Sequence, residues 1–198
     1  MINNLLERPE KIEMHKLTYE GVRKFETVIN DLRKENISDS KNLFEGSADK
    51  RLKENNIILP EAPAPVGSYL ASKIVGKLLY ISGQISMNSK GELIKGKLGK
   101  DLNTEDGYKA AERCALSILA QAKKILSGDL DKIKSCIKIV GFVNSTDDFI
   151  EQPKVINGAS DLIASVFGNA GMHTRAAVSV NSLPLGVSVE VDAIFELN

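Results

Sequence analysis

An arginine and a glutamate, each set inside a strongly apolar stretch, are the first candidates for chemistry in this chain. Arg175 lies in Thr174-Arg175-Ala176-Ala177-Val178-Ser179-Val180, and Glu190 interrupts Val187-Ser188-Val189-Glu190-Val191-Asp192-Ala193. Both runs alternate and are rich in β-branched residues, and Ser182-Leu183-Pro184-Leu185-Gly186 between them is turn-like. The pattern predicts two antiparallel strands joined as a final hairpin. Charges in such strands are costly to bury unless they are paired or put to use. With the turn centred on Pro184, Glu190 faces Val178 and Arg175 points to the other face. Centred between Leu183 and Pro184, it puts Glu190 opposite Ala177 and diagonal to Arg175, about 7–8 Å away at Cα. Both registers stay open at this point. So do a site shared between two copies of the chain and the plainer reading of strand charges whose tips reach solvent.

The whole chain bounds what these residues can serve. Its 198 residues suit one domain plus an extension. A formal net charge of zero argues against a surface that grips nucleic acid through its phosphates. No apolar run is long enough to span a bilayer, and the first residues lack the apolar centre of a signal peptide, so neither membrane nor secretion is expected. Cys114 and Cys136 fall in periodic apolar segments and read as buried free thiols of a reducing, cytoplasmic compartment. Two cysteines and two histidines without clustered spacing predict no metal site, and no cofactor motif is present.

The positioning elements follow from periodicity. Residues 1–46 form a charged helical extension, with Val22, Phe25, Val28, Ile29 and Leu32 at helical spacing over 18–36. The main domain, 47–198, opens with a short helix over 47–56 and a stiff Pro60-Glu61-Ala62-Pro63-Ala64-Pro65 linker. Strands are expected over 66–73 and 78–86, with Gly83 marking a bulge or a close approach, and a short edge strand over 92–96. A long helix begins at Thr104 and stops near Gly128. A strand over 133–143 and a second helix, capped by Asp147 or Asp148 and ending near Gly168, precede the last two strands. The order β-β-(β)-α-β-α-β-β is an α+β fold, a mixed sheet with two helices on one face. Yet Leu78 and Leu79, Ile139 and Val140, and Ala176 and Ala177 put apolar residues on both faces, which predicts a homo-oligomer.

Ile81-Ser82-Gly83-Gln84-Ile85 resembles the Ser-Gly-Gln signature of the RidA/YjgF/L-PSP family. The 174–178 and 183–193 runs resemble its closing signature, with the spacing of arginine, proline and glutamate kept. The resemblance covers 60–198 and implies a chorismate mutase-like fold, a homotrimer with sites in clefts between subunits, and hydrolysis of reactive enamines and imines. Such substrates are 2-imino acids, for instance 2-iminopropanoate, converted to 2-oxo acids and ammonia. Carried over, it implies that Arg175 binds the substrate carboxylate through its planar fork and that Glu190 holds or activates water. Gly83 would let substrate lie against the backbone, and Tyr69, Ser82 and Asn157 would line the cleft. The sequence departs from the family in having Ala177 where a cysteine is common and His173 where a proline is common.

Two functional readings follow. One is an imine-hydrolysing trimer; the other is a non-catalytic trimer that binds a 2-oxo acid or amino acid in the same pocket. A ribonuclease would need a basic groove, which neither the charge balance nor the two histidines supply. Tyr80 is expected to be a core aromatic and Asp192, on the face of Glu190, a structural acid.

Overall fold

The structure, a computed structural model, describes residues 47–65 and 67–198. The helix expected over 18–36, the extension 1–46 to which it belongs, and Val66 lie outside the described residues. The elements run α1 (Ala48–Glu54), β1 (Ser72–Val75), β2 (Leu78–Ile85), α2 (Thr104–Ile125), β3 (Ile133–Asn144), α3 (Gln152–Phe167), β4 (Thr174–Val180) and β5 (Val189–Leu197).

Local sequence accounts for the helix ends. Asn103 accepts the Asp106 N–H at 2.9 Å, and the Asp106 carboxylate accepts the Asn103 N–H at 3.2 Å, a reciprocal cap on α2. Beyond α2 the chain turns through Ser127 and Gly128, both at positive φ. α3 starts later than Asp147 or Asp148 would have set. The Asp residues belong instead to a turn closed by Phe149 N–H onto the Thr146 carbonyl, and Pro153 sits in the first helical turn. Glu151, at the start of α3, accepts the Thr104 hydroxyl and so ties the N-terminal ends of α2 and α3 together.

The helices form one layer over one face of the sheet. Cys114, Ile118 and Leu119 of α2 and Val155, Ile156, Ile163 and Val166 of α3 are buried against Leu79, Ile139, Val191 and Phe195. Each such large side chain contributes about 1.5–3 kcal/mol through its removal from water. Glycine lets α2 and α3 approach closely: a Cβ at Gly158 would lie 2.0 Å from the Tyr108 carbonyl oxygen. α1 joins the same layer by burying Ala48 and Leu52.

The sheet order is β1-β2-β5-β3-β4. β3 pairs with β4 in parallel and with β5 antiparallel. The expected hairpin therefore does not form: β3 lies between the two strands that were to be partners. The reason is the crossover. A helix between β3 and β4 lets them run parallel, β4 takes the outer edge of β3, and β5 takes the inner one. Pro184–Gly186 is a single 3-10 turn in the connection that passes from β4 to β5. The expected edge strand over 92–96 is reduced to isolated bridges, Met87 with Leu93 and Lys95 with Val187. The opening strand is shorter than expected and begins at Ser72.

The two-faced apolar pattern holds. Leu79 and Ile139 are fully buried beneath the helices, while Leu78, Val140 and Phe142 are half-buried on the other face. That face also presents Tyr80 at 41% and Val178 at 43% exposure.

Candidate active site

The expected site residues fall into two clusters. The first surrounds Glu190. On β5, Val189 and Val191 point into the core, so Glu190 points to the helix-free face, opposite Ile85 of β2 and Phe142 of β3. The β2–β5 register shifts between Ile81 and Gln84, which leaves Ser82 and Gly83 in a bulge. The Glu190 carboxylate lies over Gly83: a Cβ there would be 2.0 Å from Oε1 and 2.9 Å from Cδ. No residue with a side chain fits this position without moving the acid.

Glu190 and Gly83 line a cavity of about 540 Å³. Tyr69, half-exposed at 50%, forms one wall, and Ile85, Met87 and Leu185 supply apolar surface. Buried Gln121 on α2 also reaches this cavity and donates to the Pro63 carbonyl at 2.5 Å, holding the proline linker as a further wall. Ser82 is not part of the lining. Its hydroxyl donates to the Leu70 carbonyl at 2.7 Å, and its N–H bonds the Ala71 carbonyl at 3.0 Å, so it fixes the chain that carries Tyr69.

Burial, and secondarily the charge of Asp192, raise the Glu190 carboxyl above its ordinary value. Burial raises Asp192 too, opposed by Lys138. The Cys114 thiol, 3.6 Å from the Val189 carbonyl beneath the strand, is pushed up by burial and then by Glu190, which leaves it inert. Cys136 is pushed up to about 12, again chiefly by burial. Among the described residues, no group of three or more His, Cys, Asp and Glu side chains is placed to hold a metal ion. No helix among them is long and apolar enough to cross a membrane.

The second cluster surrounds Arg175. It pairs in register with Ile139, whose side chain faces the helices, so Arg175 lies on the helix side of edge strand β4. Its Nη1 donates to Asn157 Oδ1 at 2.8 Å and to Ser160 Oγ at 3.0 Å, both on α3. These take both hydrogens of Nη1 and leave the Nε–Nη2 edge unpaired among the described residues. No carboxylate among the described residues pairs with this guanidinium.

Within one copy of the chain, then, Tyr69, Gly83 and Glu190 come together, as do Asn157 and Arg175. The two groups occupy opposite faces of the sheet with β3 between them. Residues 49–197 match the family model described as "YjgF/chorismate mutase-like, putative endoribonuclease". The chain belongs to the YjgF/chorismate mutase-like family. It is similar to Protein TCP17 of Trypanosoma cruzi, 46% identical over 77% of this chain and 96% of that protein. The 2-iminobutanoate/2-iminopropanoate deaminase of Rattus norvegicus is 27% identical, over 68% of this chain and 83% of its own length. Among solved structures, that of Atu1372, a protein of unknown function from Agrobacterium tumefaciens, is 47% identical with a TM-score of 0.70, over 79% of this chain and 99% of that one.

For this YjgF-like chain, sequence reasoning missed Ser160, Gln121 and Leu185. Ser160 carried one readable signal, its i+3 spacing from Asn157, which puts both on one helix face. Gln121 carries no signal beyond being a polar residue in a mostly apolar helix. Leu185 has a φ of 58°, strained for a leucine, and no sequence signal reveals it.

Proposed function

We propose that the protein hydrolyses small 2-imino acids to 2-oxo acids and ammonia, in a cleft that two copies of a homotrimer complete together. The observation that carries this is the split of the two charges. Arg175 presents a guanidinium edge unpaired among the described residues on one face of the sheet, and Glu190 a partly desolvated carboxylate on the other. A neighbouring copy that covers the apolar helix-free face would bring its Arg175 edge to the mouth of the Glu190 cavity. The Nε–Nη2 edge then takes the substrate carboxylate in two parallel charge-assisted bonds. The imine carbon is held towards Glu190, whose carboxylate lies over Gly83.

Glu190 accepts a proton from water as the water oxygen bonds to C2. The C=N electron pair moves to nitrogen, which takes that proton from Glu190 and gives a carbinolamine. In the collapse Glu190 accepts the hydroxyl proton as C=O forms and passes it to the amine as C–N breaks, which releases ammonia and restores the carboxylate. A carboxyl raised by burial is a stronger base than one in water, which suits the first step. The deaminase name of the Rattus norvegicus relative supports the reaction class.

The test generates 2-iminopropanoate in situ and follows pyruvate release. Wild type is expected to accelerate release, and Arg175→Ala to lose on the order of 100-fold in kcat/KM, the loss of a bidentate charged contact. Saturable pyruvate binding by wild type without any acceleration would overturn the enzyme and leave a binding module.

A further inference from the structure

Behind Arg175 stands a chain of hydrogen bonds that nothing in the proposed reaction requires. Ser160 Oγ, which accepts from Arg175 Nη1, lies 3.1 Å from His173 Nε2. His173 Nδ1 lies 2.6 Å from the Gly171 carbonyl oxygen. A carbonyl only accepts, so Nδ1 carries the hydrogen, and Nε2 of the neutral ring is an acceptor. The Ser160 hydroxyl therefore donates to His173, and its lone pairs are turned to Arg175. Every link then runs one way: Arg175 to Ser160, Ser160 to His173, His173 to the Gly171 carbonyl.

The direction matters because Arg175 has somewhere else to go. Ser160, His173 and Arg175 share a cavity of about 230 Å³ with Asp161. Among the described residues, the Asp161 carboxylate accepts only the Tyr108 hydroxyl, at 2.9 Å on Oδ2. An arginine released from Ser160 has both the room and a charge to turn towards it, and an arginine paired with Asp161 cannot present its fork to a substrate.

We propose that His173 and Ser160 are positioning residues. They fix Arg175 through Nη1 so that its Nε–Nη2 edge stays available to an incoming carboxylate. The proposal rests on the reading of Arg175 as the carboxylate anchor. His173 reaches the substrate only through this relay, so its effect belongs to carboxylate binding rather than to attack by water.

The test measures KM and kcat for 2-iminopropanoate, and Kd for pyruvate, in four variants of the full chain. Ser160→Ala and His173→Phe are each expected to raise KM and the pyruvate Kd about fivefold, with kcat changed by less than about twofold. His173→Gln, which returns an acceptor near the place of Nε2, is expected to restore both constants to near the wild-type values. In the Arg175→Ala background, His173→Phe is expected to add nothing, because the group it positions is gone. Wild-type KM in both Ser160→Ala and His173→Phe would overturn the relay, as would a Gln variant no better than Phe or an undiminished effect without Arg175. Wild type that neither hydrolyses the imine nor binds pyruvate would overturn the functional reading, and the relay with it.

Discussion

Glu190 and Asp192 stand two residues apart on the helix-free face of β5, and burial raises both carboxyls. The fold thus disfavours their ionised forms. For Glu190 the effect is absent below the ordinary value of 4.5, where folded and unfolded chains both hold the proton. It becomes a destabilisation as pH rises through the raised value. Glu190→Gln is therefore expected to raise the melting temperature at about pH 8 and to give no gain at about pH 3.5, while abolishing imine hydrolysis. Thermal melts at the two pH values check this; a variant that is less stable at pH 8 would contradict it. At this scale the sequence was informative about identity and poor about environment. The apolar setting of Arg175 and Glu190 marked both residues, and Gly83 was legible as a close approach. That the approach is made by Glu190 itself was not legible, because it depends on a register between β2 and β5 that no local pattern encodes. The acceptors that hold Arg175 come from a helix earlier in the chain; Asn157 was expected only as a cleft residue, and Ser160 not at all.

Helices and strands were read well where one periodicity decided them. α2 starts at Thr104 as expected and α3 ends beside Gly168, whereas α3 begins beyond the Asp147 or Asp148 cap. The hairpin failed for a physical reason: a Pro/Gly turn between two apolar strands looks the same locally whether the strands pair or are parted by a third. Which occurs is settled by the crossover helix, a non-local feature. The consequence is functional, since parting β4 from β5 separates Arg175 from Glu190. The crossover in turn depends on how closely α2 and α3 pack. A Cβ at Gly158 would meet the Tyr108 carbonyl oxygen at 2.0 Å and the Glu112 nitrogen at 3.1 Å, both backbone atoms that cannot rotate aside. Gly158→Ala is expected to destabilise the fold by about 1–3 kcal/mol, read as a lower urea midpoint at unchanged slope. A midpoint equal to wild type would show that the helices can part without cost.

At the scale of the whole molecule, the helix-free face is the surface left without cover within one copy of the described residues. Tyr80, Val140, Phe142 and Val178 make it apolar beside the half-buried acids Glu190 and Asp192. The alternation of Leu78 with Leu79 and Ile139 with Val140 was enough to read this from sequence, because a strand with two apolar faces needs two covers. On the proposed reading one copy holds the acid and its cavity and another supplies the cation, a division the sequence left open. Subunit complementation tests that division most directly. Arg175→Ala and Glu190→Gln proteins, each inactive alone, are unfolded together, refolded as a mixture and assayed on 2-iminopropanoate. If each cleft takes its arginine from one copy and its glutamate from the next, random assortment restores both residues to about a quarter of the clefts, and about a quarter of wild-type activity returns. If both residues serve a site within one chain, the mixture stays as inactive as its components, and the shared cleft is wrong.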